Sequence, residues 1–184
     1  MAASSKRIIV INPNSSDKVT RAIDRALCPL RMTGGPQIDC VTLAEGPPGI
    51  ESQADVENVI IPICSAVGSY QNDAEAFVIA CYSDPGLHAA REATTHPVFG
   101  IAECAMLTAL TRGERFGLIS ILKSGVQRHL RYVRQLGLTE RFAGEVPVGM
   151  AVTELDNETV VLKRMIESGR CLRDKHGAEV LILG

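Results

Sequence analysis

Short apolar runs alternate with segments of helical periodicity in the first half of the chain. Residues 7–12 begin with arginine and continue as an unbroken β-branched run up to Asn12, a pattern typical of a strand buried on both faces. Three further runs of strand-like composition follow at residues 37–43, 76–81 and 97–101. Because helical segments separate these strands, their order predicts a parallel sheet covered by helices.

The intervals between the first four strands carry helical signals. After the first strand, Ser15 or Ser16 is a predicted helix cap, and the apolar face beyond it comprises Val19, Ile23, Leu27 and Leu30. The next interval has an apolar face of Val56, Ile60, Ile63 and Val67, and its Pro62 predicts a kink or a restart of the helix. Asp84 and Pro85 predict a third helix, with Asp84 as its cap and Pro85 as its first residue.

The second half of the chain repeats this plan. Residues 115–120 match residues 7–12, and residues 145–150 match the second strand. Between them lies a helical face of Val126, Leu130 and Val133, which ends at Gly137.

A long helix is predicted from about Leu155 to His176, with Gly177 as its C-cap, and a final apolar run at residues 179–184 matches residues 75–80. The weak internal duplication predicts an α/β fold of two pseudo-symmetric, Rossmann-like lobes with parallel sheets. We place the first lobe at residues 1–103 and the second at residues 104–184.

Composition and charge narrow the class of protein. Among 184 residues, 19 are Lys or Arg and 21 are Asp or Glu, so a net charge of −2 removes the electrostatic argument for a nucleic-acid or anionic-membrane partner. A hydrophobic content of 46% is typical of a globular protein. The N-terminus lacks the apolar segment of a signal peptide, and no run approaches the about 20 residues of a membrane span. A cytoplasmic location is the expectation.

The cysteines and histidines show no metal-site spacing. Six cysteines and four histidines are present without a C-x-x-C or H-x-x-x-H pattern, so we expect reduced thiols and no structural zinc site. Four cysteines fall within predicted strands or helices and are interpreted as structural: Cys28, Cys40, Cys64 and Cys171. The histidines have no partner at readable spacing, which favours solvated or capping roles. A nucleotide-binding glycine motif is also absent from the sequence.

Cys81 is the most informative residue. It follows a buried strand and precedes a predicted helix, a place where the partial positive charge of the helix end lowers the pKa of a thiol. Loop N–H groups there, with Ser83 and Asp84, could hold an anionic substrate atom. The alternative is a buried structural cysteine, and position alone leaves the two interpretations equally supported.

Other polar residues follow the remaining strands at the same predicted sheet edge, where ligands bind in open parallel sheets. Asn12, Asn14 and Ser15 leave the first strand and could grip a small polar ligand, although Asn and Ser at such a turn often only cap the helix. Glu51 follows the second strand and is either a ligand-contacting residue or a first-turn helix acid. Ser120 repeats Asn12 in the second lobe. Glu103 follows the fourth strand and is a ligand-contacting residue, a hinge residue or a first-turn helix acid, and Cys104 lies close to the same predicted edge.

Four stretches together resemble the hydantoin racemases of the aspartate/glutamate racemase superfamily, with allantoin racemases as very similar relatives. They are residues 11–15 (Ile-Asn-Pro-Asn-Ser), 46–51, 79–86 (Ile-Ala-Cys-Tyr-Ser-Asp-Pro-Gly) and 100–103 (Gly-Ile-Ala-Glu). The combination of Asn-Pro-Asn-Ser with Cys-x-x-Asp-Pro-Gly is specific, whereas either motif alone would be weak. The resemblance extends over the whole chain in order.

The resemblance implies a cofactor-independent racemase with its site in the cleft between two lobes. In this family two cysteines face opposite sides of a substrate carbon, and one thiolate removes a proton while the other thiol returns one. Cys81 matches the first of these cysteines. Asn12 and the loop with Ser83 and Asp84 match ligand-contacting positions. Ser120 and Ile121 match a ligand loop of the second lobe, and relatives form homo-oligomers.

The second family cysteine normally follows the Leu-Gly that ends the last strand, so it is expected directly after Gly184. Since natural chains rarely end on a central buried strand, we expect these residues to be an incomplete chain with an interrupted second lobe. Two alternatives remain open. One is a single-thiol decarboxylase or isomerase of the same superfamily, although arylmalonate decarboxylases keep the second-lobe cysteine and lack the first. The other is a non-catalytic small-molecule binding protein.

Overall fold

The chain folds into two compact units, Met1–Ile101 and Ala102–Gly184. The structure is a computed structural model that describes residues 7–150 and 158–184. The described strands are β1 (Arg7–Asn12), β2 (Gln37–Thr42), β3 (Ala76–Ile79), β4 (Val98–Gly100), β5 (Phe116–Ser120), β6 (Phe142–Pro147) and β7 (Val180–Leu183). The described α-helices are α1 (Asp17–Leu27), α2 (Gln53–Asn58), α3 (Ile60–Tyr70), α4 (Leu87–Glu92), α5 (Ile101–Ala109), α6 (Val126–Gln135) and α7 (Glu158–His176).

The first unit is built on a parallel sheet with the strand order β2-β1-β3-β4. Its centre is apolar, since Ile9, Ile11, Phe77 and Ile79 are fully buried and pack with Ile63 of α3. Burial of side chains this size contributes about 1.5–3 kcal/mol each. The predicted α/β fold with a parallel sheet is confirmed for this unit.

The second unit contains a parallel sheet with the order β6-β5-β7, and all five residues of β5 are buried. Leu172 of α7 is fully buried against this sheet in a cluster with Ile119 and Met150. Over residues 7–150 and 158–184, no helix combines the length and apolar character needed to cross a membrane.

The two sheets repeat one another at the level of hydrogen bonds. Ala80 donates its N–H to Ile11 O at 2.8 Å in the first sheet, and Gly184 donates to Ile119 O at 2.9 Å in the second. This register makes Gly184 the counterpart of Ala80. It also makes Ser120, which ends β5, the counterpart of Asn12, which ends β1.

Several predicted element boundaries are wrong for identifiable reasons. Helix α1 stops at Leu27, and Leu30 is 61% exposed rather than on the buried face. Pro29 lacks the N–H that would continue the α-helix, and the chain forms a 3₁₀ turn over Cys28–Leu30 instead. The break predicted near Pro62 comes earlier, between α2 and α3, so that Pro62 occupies the first turn of α3, where its missing N–H is tolerated.

The strand predicted at residues 145–150 instead spans Phe142–Pro147. It starts earlier because the Phe142 ring packs against Phe116, with ring centroids 5.5 Å apart, and a register shift near Gly144 absorbs the irregularity. The predicted start of the long helix at Leu155 lies outside the described residues. Its end agrees with the prediction, since α7 finishes at His176 and Gly177 adopts a φ of 69°.

Candidate functional site

The loop after β1 is held by its own asparagine side chains. Asn12 is 1% exposed, and its Nδ2 donates to Asn14 Oδ1 at 2.9 Å, while Asn14 N donates back to Asn12 Oδ1 at 3.3 Å. Asn14 Oδ1 also accepts from Ser16 N at 2.9 Å, and Ser16 Oγ accepts from Val19 N to cap α1. Ser16 is therefore the helix cap, whereas Ser15 is exposed on the loop.

The loop after β2 packs on the first loop through Gly46. A Cβ at Gly46 would approach Pro13 O far closer than the 3.0 Å limit of real Cβ contacts and would lie 3.1 Å from Asn14 Cα. Ser15 N donates to Pro47 O at 3.0 Å, which ties the two loops together. The close approach fixes the backbone that carries Asn14.

Glu51 lies just before α2, half-buried, with its N–H donating to Asp55 Oδ2 at 3.1 Å. Ser52 is the cap of α2, and Ser52 and Asp55 form a reciprocal capping box. The first-turn acid is therefore Asp55. Glu51 lies outside the helix, on the loop beside the sheet edge.

The loop after β3 carries Cys81 directly beyond the last hydrogen bond of the sheet. Cys81 is half-buried, and its carbonyl accepts from Asp84 N at 2.9 Å to close a turn that contains the half-buried Ser83. Neighbouring strands lie about 4.8 Å apart, so the loops after β1 and β3 leave the same edge side by side.

Asp84 does not cap a helix as the sequence predicts. Helix α4 begins at Leu87, and its N-cap residue is Gly86, which has a φ of 66° and no side chain with which to cap the helix. Asp84 has a φ of 41°, is 5% exposed and directs its carboxylate at the place where Gly100 lacks a side chain. The Asp84 carboxylate, which the sequence predicts to cap the helix, therefore packs against Gly100 at the end of β4 instead.

In the second unit, Ser120 and Ile121 end β5 and begin its loop. Ser120 is 2% exposed, and its Oγ has no hydrogen-bond partner among residues 7–150 and 158–184. Ile121 is half-buried and its carbonyl accepts from Gly149 N at 2.9 Å. Gly149 belongs to the loop after β6, and Arg164 holds that loop by donating to Gly149 O at 3.0 Å.

The structure contains a buried ionisable pair that the sequence did not predict. His129 of α6 is 8% exposed, and its Nδ1 lies 2.9 Å from Oε1 of Glu145 on β6, whose side chain is 1% exposed. The expectation of a solvated or capping histidine is wrong here, because the partner comes from another element. Polar residues on both the helix and the strand, each at a core-facing position, are the signal that could have revealed the pair.

The other thiols differ from Cys81 in setting. Burial is the main cause that raises the pKa of Cys40 to about 11, and burial also raises the pKa of Cys64. Cys28 is exposed, whereas Cys104 and Cys171 are half-buried on α5 and α7. Glu103 sits in the first turn of α5. Within the part of the chain that the structure describes, no three His, Cys, Asp or Glu side chains group to hold a metal ion.

Comparisons with known proteins agree with one family. A model of the Asp/Glu/hydantoin racemase family matches residues 8–184. A hydantoin racemase of Paenarthrobacter aurescens is 34% identical over 97% of this chain and 76% of its own length.

Solved structures give the same architecture. An allantoin racemase from Klebsiella pneumoniae superposes with a TM-score of 0.89 at 30% identity, over 98% of this chain and 74% of that one. A double mutant of arylmalonate decarboxylase matches with a TM-score of 0.71 at 17% identity, over 98% of this chain and 77% of that one, and shows likeness of fold alone.

Proposed function

The chain belongs to the Asp/Glu/hydantoin racemase family and is an isomerase, and from this premise we propose that it racemises 5-substituted hydantoins or allantoin. The reaction uses two acid–base thiols and no cofactor, and Cys81 is one of them. The observation that carries the proposal is the position of Cys81, half-exposed immediately beyond the hydrogen-bonded end of β3 and beside the polar loop of Asn12 and Asn14.

The chemistry requires a base and an acid on opposite faces of one carbon. The C–H at the stereocentre of a hydantoin adjoins a carbonyl, so that removal of its proton gives an enolate-like anion. The Cys81 thiolate takes this proton and becomes a thiol, and the second thiol gives its proton to the other face and becomes a thiolate. The two groups exchange protonation states when the opposite enantiomer reacts.

The internal repeat supports a location for the second thiol. Gly184 is the counterpart of Ala80 in the hydrogen-bond register, so the counterpart of Cys81 is the position that follows Gly184. A cysteine codon at that position in the complete reading frame is the expected finding, and alanine or serine there would contradict the two-thiol mechanism.

Polar groups at the carboxyl ends of the strands support recognition of an amide-rich ring. A buried hydroxyl without a partner costs free energy, and the Ser120 Oγ, with Ile121 next to it, would gain from a bond to a ring amide or carbonyl. In the first unit, Asn14, Ser15, Glu51, Ser83 and Asp84 are proposed to line the substrate. The hydroxyl and amide donors among these residues stabilise the developing negative charge, by about 10²–10³-fold in kcat for a single oxyanion-hole donor.

The proposal is tested with single enantiomers in D2O. Wild-type protein is incubated with a 5-substituted hydantoin and separately with allantoin, and optical rotation and deuterium at the stereocentre are followed together. Loss of rotation with matching deuterium incorporation is expected for one or both substrates, before and after dialysis against EDTA. Binding without exchange would indicate a non-catalytic binding protein, and loss of activity on dialysis would contradict the absence of a cofactor.

A further inference from the structure

We propose that Thr20 and Thr42 are positioning residues for this reaction: their hydroxyls orient the Asn12 carboxamide, which in turn places Asn14 at the site. The inference rests on the proposed function for its activity readout. The hydrogen-bond arrangement is independent of that function and has a separate test.

The direction of each hydrogen bond in this group is set by the acceptor Asp17. A carboxylate only accepts hydrogen bonds, so Thr42 Oγ1, 2.9 Å from Asp17 Oδ1, donates its one hydrogen to it. The Thr20 and Thr42 hydroxyl oxygens are 2.6 Å apart. Because the Thr42 hydrogen is engaged, Thr20 is the donor of this pair and Thr42 the acceptor.

The same logic fixes the asparagine. With its own hydrogen directed at Thr42, Thr20 Oγ1 can only accept from the amide group 3.0 Å away, and an amide donates through nitrogen. Asn12 therefore presents Nδ2 to Thr20, which leaves its Oδ1 to accept from Asn14 N. The competing contact from Thr20 Oγ1 to Ser16 O is longer, at 3.4 Å.

Asn12 consequently has no amide hydrogen left for a substrate. One goes to Thr20 and the other to Asn14 Oδ1, with a longer contact of 3.3 Å to Ser16 O. Asn12 therefore acts through the loop: it holds Asn14 by two hydrogen bonds, one to the Asn14 side chain and one from its backbone.

Because Asn12 and Thr20 are buried, a change in the orientation of the Asn12 carboxamide would leave a polar group without a hydrogen bond. Thr20 is the buried residue of α1 and Asn12 is 1% exposed, so a donor released there has little access to water. The described part of the second unit has no equivalent arrangement, since the Ser120 hydroxyl at the matching position finds no hydrogen-bond partner there. The positioning role thus belongs to the first loop specifically.

Four variants of the wild-type protein test the inference. Thr20→Val and Thr42→Val remove one hydroxyl each at nearly constant volume, Thr20→Ser restores the hydroxyl, and Thr111→Val removes an exposed hydroxyl that contacts only its own helix end. Thr20→Val and Thr42→Val should lower kcat about tenfold with little change in KM, since the loop acts on the transition state. Thr20→Ser and Thr111→Val should stay within about twofold of wild type.

The activity-independent readout is the ¹⁵N–¹H spectrum of the Asn12 side-chain amide. Both its hydrogens should exchange slowly with solvent in wild type, and one should shift and exchange faster in Thr20→Val and Thr42→Val but not in Thr111→Val. An Asn12 amide unchanged in both valine variants overturns the inference, as does loss of kcat in Thr20→Ser equal to that in Thr20→Val. If wild type proves inactive on every hydantoin tested, the proposed function fails while the spectrum still decides the hydrogen-bond order.

Discussion

Substituting Gly46 by alanine should damage both stability and activity, because the loops after β1 and β2 touch through this residue. The added methyl group would lie well inside the 3.0 Å limit from Pro13 O and 3.1 Å from both Asn14 Cα and Leu43 O. All three obstacles are backbone atoms, so no side chain can rotate away. Relief requires the Pro13–Asn14 backbone to move by about 1 Å, a displacement comparable with those that cost 10²-fold in rate.

The magnitude follows from the overpacking of a fixed backbone. Such insertions cost about 1–3 kcal/mol, and each kcal/mol lowers the Tm of a chain this size by about 2–4 °C. Gly68 is the matched control, because it lies in α3, where an added methyl group would meet no atom within 4 Å, and its replacement removes a helix-destabilising glycine. Gly68→Ala should therefore raise stability by about 0.5–1 kcal/mol.

Thermal unfolding followed by circular dichroism gives the stability, and deuterium exchange at the substrate stereocentre gives the activity. Gly46→Ala should lower the Tm by several degrees. It should also lower the rate of deuterium exchange by more than the loss of folded protein explains. If Gly46→Ala matches wild type in both measurements, the close packing of the two loops does not position the site. Equal behaviour of Gly46→Ala and Gly68→Ala would likewise show that the packing at Gly46 does not hold the two loops.

Two further predictions concern buried groups. Glu145→Ala removes the buried carboxylate beside His129 and should destabilise the protein by about 3 kcal/mol in urea unfolding, whereas Glu140→Ala at an exposed position should stay within about 0.5 kcal/mol; equal midpoints would show that the pair contributes nothing. Iodoacetamide at pH 7 should label Cys81 but spare Cys40. The pKa of about 11 keeps the Cys40 thiol protonated until the pH is raised toward that value. Peptide mapping that finds Cys40 modified and Cys81 intact would contradict the role of Cys81 as a reactive thiol.

The sheet architecture could be predicted from the sequence because its signals are local. The run ending at Asn12 forms a strand with the predicted bounds, since four successive β-branched residues favour a strand that is buried on both faces. The predicted internal repeat also agrees with the strand register, because Ser120 occupies in the second sheet the position that Asn12 occupies in the first.

The parts that could not be predicted depend on contacts between distant elements. Asp84 and Pro85 carry a strong capping signal, but the packing of Asp84 against Gly100 overrides it. His129 meets Glu145 only after a helix folds onto a strand, and Thr20 meets Thr42 in the same way. Local patterns cannot report such pairs, so the sequence indicates the candidate loops but not the side chains that hold them in place.

The rate at which the Cys81→Ser variant racemises substrate is the most direct test of the two-thiol mechanism. Each enantiomer of a substrate turned over by wild type is incubated in D2O with Cys81→Ser and with Cys64→Ser, a control at a half-buried thiol of α3. Loss of one acid–base group should lower racemisation by about 10²–10⁴-fold, with proton exchange surviving for at most one enantiomer, while Cys64→Ser behaves as wild type. Racemisation by Cys81→Ser at the wild-type rate would contradict the role of Cys81.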